Sequence, residues 1–227
     1  MASLVGLLVV DGSSGGVAGA SGGTSGVLFR PVLCAVPPYD KFISSHQPTL
    51  SADLCGPSAL TPASLQVFPS KQSPDGYTYR SPQPAIILEG ERTTKPAHDT
   101  AAKVVLLGGL PGSSLYARTS ASKGIRYILG PAVMTSRAIA SATTTESAGR
   151  WLVEWTTTSS GAALWDRVAR ASFHQLLAVD VGGVVVTAPV IEPAQASFTS
   201  FKGRGEIAGD WSQAEATRIA AAMQAGD

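Results

Sequence analysis

The sequence predicts an α+β fold: a ferredoxin-like antiparallel sheet with helices on one face, preceded by a Pro/Gly-rich, sparsely structured region. Three observations predict it. Across the last hundred residues, short β-branched runs with a period of two are twice interrupted by the longer period of an amphipathic helix. The resulting order, strand, helix, strand, strand, strand, helix, suits helices packed on one side of an antiparallel sheet. Upstream, regular patterning is sparse, and eleven of the fifteen prolines lie between Pro31 and Pro96.

The chain divides into three zones: residues 1–33, 34–124 and 125–227. In the first, Leu4 to Val10 reads as one short apolar strand, followed by a Gly/Ser-rich loop from Gly12 to Gly26. Val27 to Leu33 reads as a second strand, and Pro31 within it predicts an edge position or a strand end, because proline cannot donate to the ladder. Residues 34–124 read as a Pro-rich connector or insertion. Within them, Lys103 to Leu107 fits either a strand or one helical turn, ended by Gly108-Gly109 and Pro111-Gly112.

The third zone has the sharpest pattern. Arg126 to Leu129 is a short strand closed by Gly130-Pro131, and Trp151, Val153, Trp155 and Thr157 mark one face of a half-buried strand. From Ser160 onward Leu164, Trp165, Val168, Ala169 and Ser172 recur at helical spacing, with Asp166, Arg167 and Arg170 outward. Leu176 to Val181 and Val184 to Thr187 form a hairpin across Gly182-Gly183, a pair suited to positive φ angles. Glu206 to Ala208 is a short strand. It leads to a helix whose start carries the capping box Ser212-x-x-Glu215, with Trp211 able to pack back on Ala216. Ala216, Ile219, Ala220 and Met223 supply its buried stripe, and Gly226 is a natural stop.

Composition excludes several classes of function. The 227 residues suit one or two domains at about 150 residues each. With 17 Lys+Arg against 16 Asp+Glu the formal charge is +1, which removes the electrostatic footprint of a nucleic-acid binder. The longest apolar run falls far short of the ~20 residues needed to span a bilayer. A signal peptide is not expected either, since no Lys or Arg precedes Arg30. Val32-Leu33-Cys34 does not make a lipidation site, because Leu33 is not small.

No constellation points to an enzyme. His46, His98 and His174 are scattered, and neither a nucleophile elbow nor a phosphate loop is present. Gly108-Gly109-x-x-Gly112 lacks the context of a dinucleotide site and reads as a turn. A metal site from Cys34, His46 and Cys55 is conceivable in a loop, yet ordinary surface and packing roles are favoured, so no metal and no cofactor is expected. Cys34 and Cys55 could form one disulfide, worth roughly 3 kcal/mol in an oxidising compartment, or remain two reduced, separately buried thiols. Phe198 and Phe201, beside Lys202 and Arg204, could grip apolar stretches of an unfolded chain if their segment is an exposed loop. The plainer reading puts both rings in the core.

Several of these stretches together resemble a known family. The segment from Gly205 to Ala216, with Ile207, Gly209, Ser212 and Glu215 in place, resembles the G-x-I-x-G-x-F-T-x-x-E-A segment in the first large extracytoplasmic domain of SecD, a protein-export membrane subunit. Gly183 to Ile191, including Ala188 and Pro189, resembles the family's DG-x-V-V-S-A-P-V-I hairpin. Trp151-x-Val153 followed by Ser160-Gly161 is similar to its strand-then-helix start, and Tyr127-x-Leu129-Gly130-Pro131 to an element of actinobacterial relatives. Phe29-Arg30-Pro31-Val32 is similar to the strand that begins the domain. The likeness runs through about residues 125–226, plus that early strand.

Three residues depart from the family pattern: Asp180 stands at an apolar strand position, Gly182 replaces the turn aspartate, and Trp211 replaces a phenylalanine. Family members also carry six membrane helices, and the resemblance implies that the reading frame extends upstream into an apolar helix or signal. It further implies a non-enzymatic domain at the extracytoplasmic face of the membrane, assisting Sec-dependent export by binding the translocating preprotein, with the Sec translocon and SecF-like membrane subunits as partners. The other reading is a stand-alone exported binding or structural module with the same fold. The segment from 125 to 227 would be the head, and residues 1–33 a remnant of base strands.

Overall fold

The computed structural model describes residues 26–36, 93–95, 98–110, 126–192 and 195–226. The strand expected at 4–10, the Gly/Ser loop and most of the Pro-rich stretch, with His46 and Cys55, lie outside them. Along the described chain run β1 (Val27–Val36), β2 (Val105–Gly109), β3 (Arg126–Leu129), β4 (Met134–Thr135), β5 (Ile139–Ser147), β6 (Arg150–Thr157), α1 (Ser159–Ala171), β7 (Leu177–Val181), β8 (Val184–Thr187), β9 (Arg204–Ala208) and α2 (Gln213–Gln224).

This is an α+β fold, and its strands divide between two sheets. The larger has the order β3-β2-β8-β7-β1-β4, and β3 also pairs with β1, so five of its strands close into a ring. β1 makes this possible because its first half pairs with β7 and its second half with β3. All these pairings are antiparallel except β2 with β8, which is parallel. The undecided stretch before Gly108 is therefore a strand, and it lies between β3 and β8. Alternation separates the two faces of the ring. Val32, Val105, Leu107, Tyr127, Leu129, Ala178 and Val185 fill its interior, while Val27, Phe29, Leu177, Val179 and Val186 turn outward into a second core.

That second core is shared with the smaller sheet, β5-β6-β9, and with both helices. β6 is its central strand. Val153 and Trp155 point inward and Glu154 and Thr156 outward, as the alternation predicts. α1 contributes Trp165, Val168 and Ala169, and α2 contributes Ala216, Ile219, Ala220 and Met223. The helices thus share one face of β5-β6-β9, while the β7–β8 hairpin belongs to the ring. Alternation tells which side of a strand is buried but not which strand lies beside it, so this division could not be read from the pattern.

Local signals fixed the element ends. Thr158 caps α1 by accepting the Gly161 N–H at 3.0 Å. At α2 the Ser212 hydroxyl accepts the Glu215 N–H at 3.3 Å and the Glu215 carboxylate accepts the Ser212 N–H at 2.9 Å, a complete capping box. Gly182 and Gly183 turn the hairpin at φ 59° and 84°.

Three expectations need correction. Gly108 and Gly109 do not end the stretch as a turn but are the last two residues of β2, paired with Arg126 and with Val184 and Val185. Pro31 lies in an interior strand, not at an edge or an end. Its carbonyl accepts the Gly130 N–H at 2.9 Å while that of Phe29 accepts from Val133, so Pro31 faces the gap between β3 and β4, where no ladder position needs its N–H. Gly130 packs over the proline ring, 2.9 Å from where a Cβ would sit. Gly226, in turn, does not end α2 in a left-handed cap. The helix stops at Gln224 with Ala225 as C-cap, whose N–H returns to the Ala221 carbonyl at 3.0 Å.

Cys34 is buried on β1 and disulfide-bonded, so it offers no thiolate to a metal. Among the described residues no cluster of His, Cys, Asp or Glu could hold a metal ion, and no helix is long and apolar enough to cross a membrane.

Candidate functional site

The residues singled out as a possible gripping surface fall on the loop between β8 and β9. Asp166 on α1 holds the loop from one side: its carboxylate accepts the Ser200 hydroxyl at 2.6 Å and the Phe201 N–H at 3.1 Å. From the other side, the buried Glu192 carboxylate accepts the Thr199 N–H at 3.1 Å, and the Gln195 carbonyl lies 2.7 Å from His174 Nε2. These ties replace the ladder that the segment lacks.

Held this way, Phe198 and Phe201 are neither free in solvent nor fully in the core. Both are half-buried against it. Phe201 stacks on Trp165 at 5.6 Å between centroids, and Phe198 meets Phe201 edge-on at 6.0 Å and Phe173 at 6.4 Å. The Arg170 guanidinium lies 4.6 Å from the Phe198 ring centre, a cation–π contact at the protein surface. Inward, Trp165 packs on Trp155 and both pack on Phe29, at 5.7 to 5.8 Å. A continuous series of rings therefore connects the ring sheet at β1 to the loop surface.

Lys202 and Arg204 are exposed beside these rings. Lys202 sits at φ 53° in the left-handed region, as do Glu192 at 47° and His174 at 59°. Three of the four non-glycine residues in that region, among those described, thus border this loop, and such conformations persist only where surroundings impose them. The Arg204 carbonyl accepts the Trp165 Nε1–H at 2.8 Å, fixing the indole beneath Phe201.

The residues carried by the family motifs lie elsewhere and pack. A Cβ on Gly205 would run into the Trp155 ring, and one on Gly209 into the Trp211 indole. Ile207 and Ala188 are buried, the Pro189 carbonyl accepts the Leu177 N–H at 3.0 Å, Gly183 makes the turn, and Pro131 is exposed after Gly130. Ser212 and Glu215 cap α2. On the outer face of the small sheet Glu206 stands directly opposite Glu154, and burial first, then that neighbouring charge, raises its carboxyl above the usual range. Sequence reasoning missed Phe173 and the roles of Asp166 and Arg170. At helical spacing the last two read only as outward charges, and no local signal marks what a distant loop brings to them.

Comparison with known families and solved structures finds similarity to SecDF. The family model described as SecDF, P1 head subdomain, matches residues 113–227. Among solved structures, SecDF described as a membrane component that enhances protein export is 33% identical, over 44% of this chain and 43% of that one, with a TM-score of 0.39. SecDF in a super-membrane-facing form is 34% identical, over 44% of this chain and 13% of that one, TM-score 0.38. SecDF from Thermus thermophilus, described as translocon-associated, is 20% identical, over 89% of this chain and 30% of that one, TM-score 0.36. The chain spans less than half the length of each. The comparison with curated proteins finds no match. These overlaps are too partial to compare whole arrangements, so the assignment rests on the family model, which takes in half of the sequence: the chain belongs to the SecDF P1 head subdomain family.

Proposed function

We propose that this chain assists Sec-dependent protein export, without catalysis, by binding the translocating polypeptide at the extracytoplasmic face of the membrane. Phe198 and Phe201 are the contact residues, and Lys202 and Arg204 form a basic rim. Family membership supports the export role, and one observation carries the site: two half-buried aromatic rings presented on a loop that Asp166 and Glu192 hold in place. An unfolded chain offers apolar side chains in no fixed order. Flat ring edges accept these without demanding a sequence, and a loop already ordered loses little entropy on contact. The Sec translocon and SecF-like membrane subunits are the neighbours this role requires.

Photo-crosslinking in cells tests it, with the probe placed at Phe198 or Phe201. The expected result is adducts to secreted preproteins that appear only while export is active. A well-expressed, exported protein that gives none from either position overturns the reading and leaves a stand-alone module with some other ligand.

A further inference from the structure

A second group of charges lies inside the ring sheet. Arg30 on β1 is fully buried, as are Asp180 on β7 and Asp99 in the segment before β2, with exposures of 0, 1 and 4%. Arg30 shares its face of β1 with Val32, and Asp180 shares its face of β7 with Ala178, so both belong to the interior side of the ring. All five guanidinium N–H groups are used. Nε donates to Asp180 Oδ2 at 3.0 Å. Nη1 donates to the carbonyls of Lys103 and Gly130, each at 3.0 Å, and Nη2 to Asp99 Oδ1 at 2.8 Å and the Thr100 carbonyl at 2.9 Å. The second Asp180 oxygen accepts the Gly183 N–H at 3.0 Å.

One cation thus serves two carboxyl groups. With both ionised, the cluster holds an uncompensated negative charge away from water, a costly state that a shared proton removes. Burial, and then the charge of Asp99, push Asp180 up to about 7 against the pull of Arg30.

We propose that Arg30, Asp99 and Asp180 form a proton-sharing latch that clasps residues 98–103 to the ring sheet and loosens them when the shared proton leaves. Three of the five guanidinium bonds end on this segment. Beyond Arg30, the segment is tied by the Ala132 N–H on the Ala101 carbonyl at 2.7 Å and, at its start, by the His98 N–H on the Lys95 carbonyl at 2.8 Å. Asp180 cannot retreat, because β1 and β8 flank it in the sheet. Asp99 can, because its segment lies at the surface, with His98, Thr100, Ala102 and Lys103 exposed. Repulsion between two carboxylates is therefore relieved by moving residues 98–103. Among the described residues, no other ionisable side chain faces Asp180 across its pairings: Leu28 lies opposite on β1 and Val185 on β8. The exposed His98 and Lys103 are screened by solvent, and Arg126 pairs with Val36, six residues along β1 from Arg30.

Amide hydrogen exchange on the intact chain, corrected for intrinsic rates and followed from about pH 5 to pH 9, tests the latch. Protection of residues 99–103 should fall about tenfold or more across that range while β1 and β7 keep theirs. Asp99→Asn, which leaves one carboxylate for one guanidinium, should abolish the fall. In the unaltered chain, the carboxyl carbon resonance of Asp180 should titrate near neutrality. Flat protection in the unaltered chain overturns the proposal, as does titration of Asp180 in the ordinary acidic range, or an undiminished fall in Asp99→Asn. The measurements on the unaltered chain decide it even if the variant does not fold.

Discussion

Arg30 joins β1, β7, the turn at Gly130 and the segment before β2 through one planar group, and its replacement exposes what that group compensates. Arg30→Met keeps the apolar length of the side chain but leaves two buried carboxyls without a cation. Breaking a buried ionic group from one side costs about 3–5 kcal/mol, and urea unfolding at neutral pH should show that loss. The pH dependence follows from the sign of the shift. A carboxyl held above its ordinary range binds its proton more tightly folded than unfolded, so its contribution is full below about pH 4 and is lost as pH rises through about 7. Without Arg30 that loss deepens. The variant's deficit should be greatest above neutrality and shrink in acid; a deficit independent of pH would mean that only packing was lost. Asp180 could be noticed in the sequence as an acid at an apolar strand position. Its partner could not, because 150 residues separate it from Arg30 and nothing local announces the pairing.

Elements whose signals are local were legible; those built from distant pairings were not. α2 is the clearest of the first kind. The Ser212-x-x-Glu215 spacing and the stripe from Ala216 to Met223 together specify its start and its buried face, and the structure shows both. Ser212→Ala removes the hydroxyl that accepts the Glu215 N–H and leaves the buried Glu215 carboxylate with one bond fewer. The cost should be about 1 kcal/mol, with little change in the steepness of unfolding. A loss below a few tenths would show that packing of Ala216 and Ile219 alone holds the helix. By contrast, Pro31 suggests an edge strand to any local reading, and only the break between β3 and β4 opposite it explains its interior place. β5, a Thr- and Ser-rich strand, carries little apolar alternation, and its position comes from the register with β6.

At the scale of the molecule, the loop that carries the candidate site is the outer end of a series of rings that begins at Phe29 on the ring sheet. Stability and capture are therefore mixed unequally in its two phenylalanines. Phe201 stacks on buried Trp165, so Phe201→Ala opens space against the core and should cost about 2–3 kcal/mol as well as capture. Phe198 touches Phe173, Phe201 and the Arg170 guanidinium, all of them partly or fully exposed. Its truncation should cost only about 1 kcal/mol, since an exposed cation–π contact is worth about half of that and the ring is only half-buried. If the loop binds exported polypeptide, Phe198→Ala should abolish most crosslinking from a probe at Phe201 while the unfolding midpoint falls only slightly. Crosslinking that survives Phe198→Ala yet fails in Phe201→Ala in proportion to lost stability would mean that the rings serve the fold alone. Capture would then have to be sought elsewhere on the head.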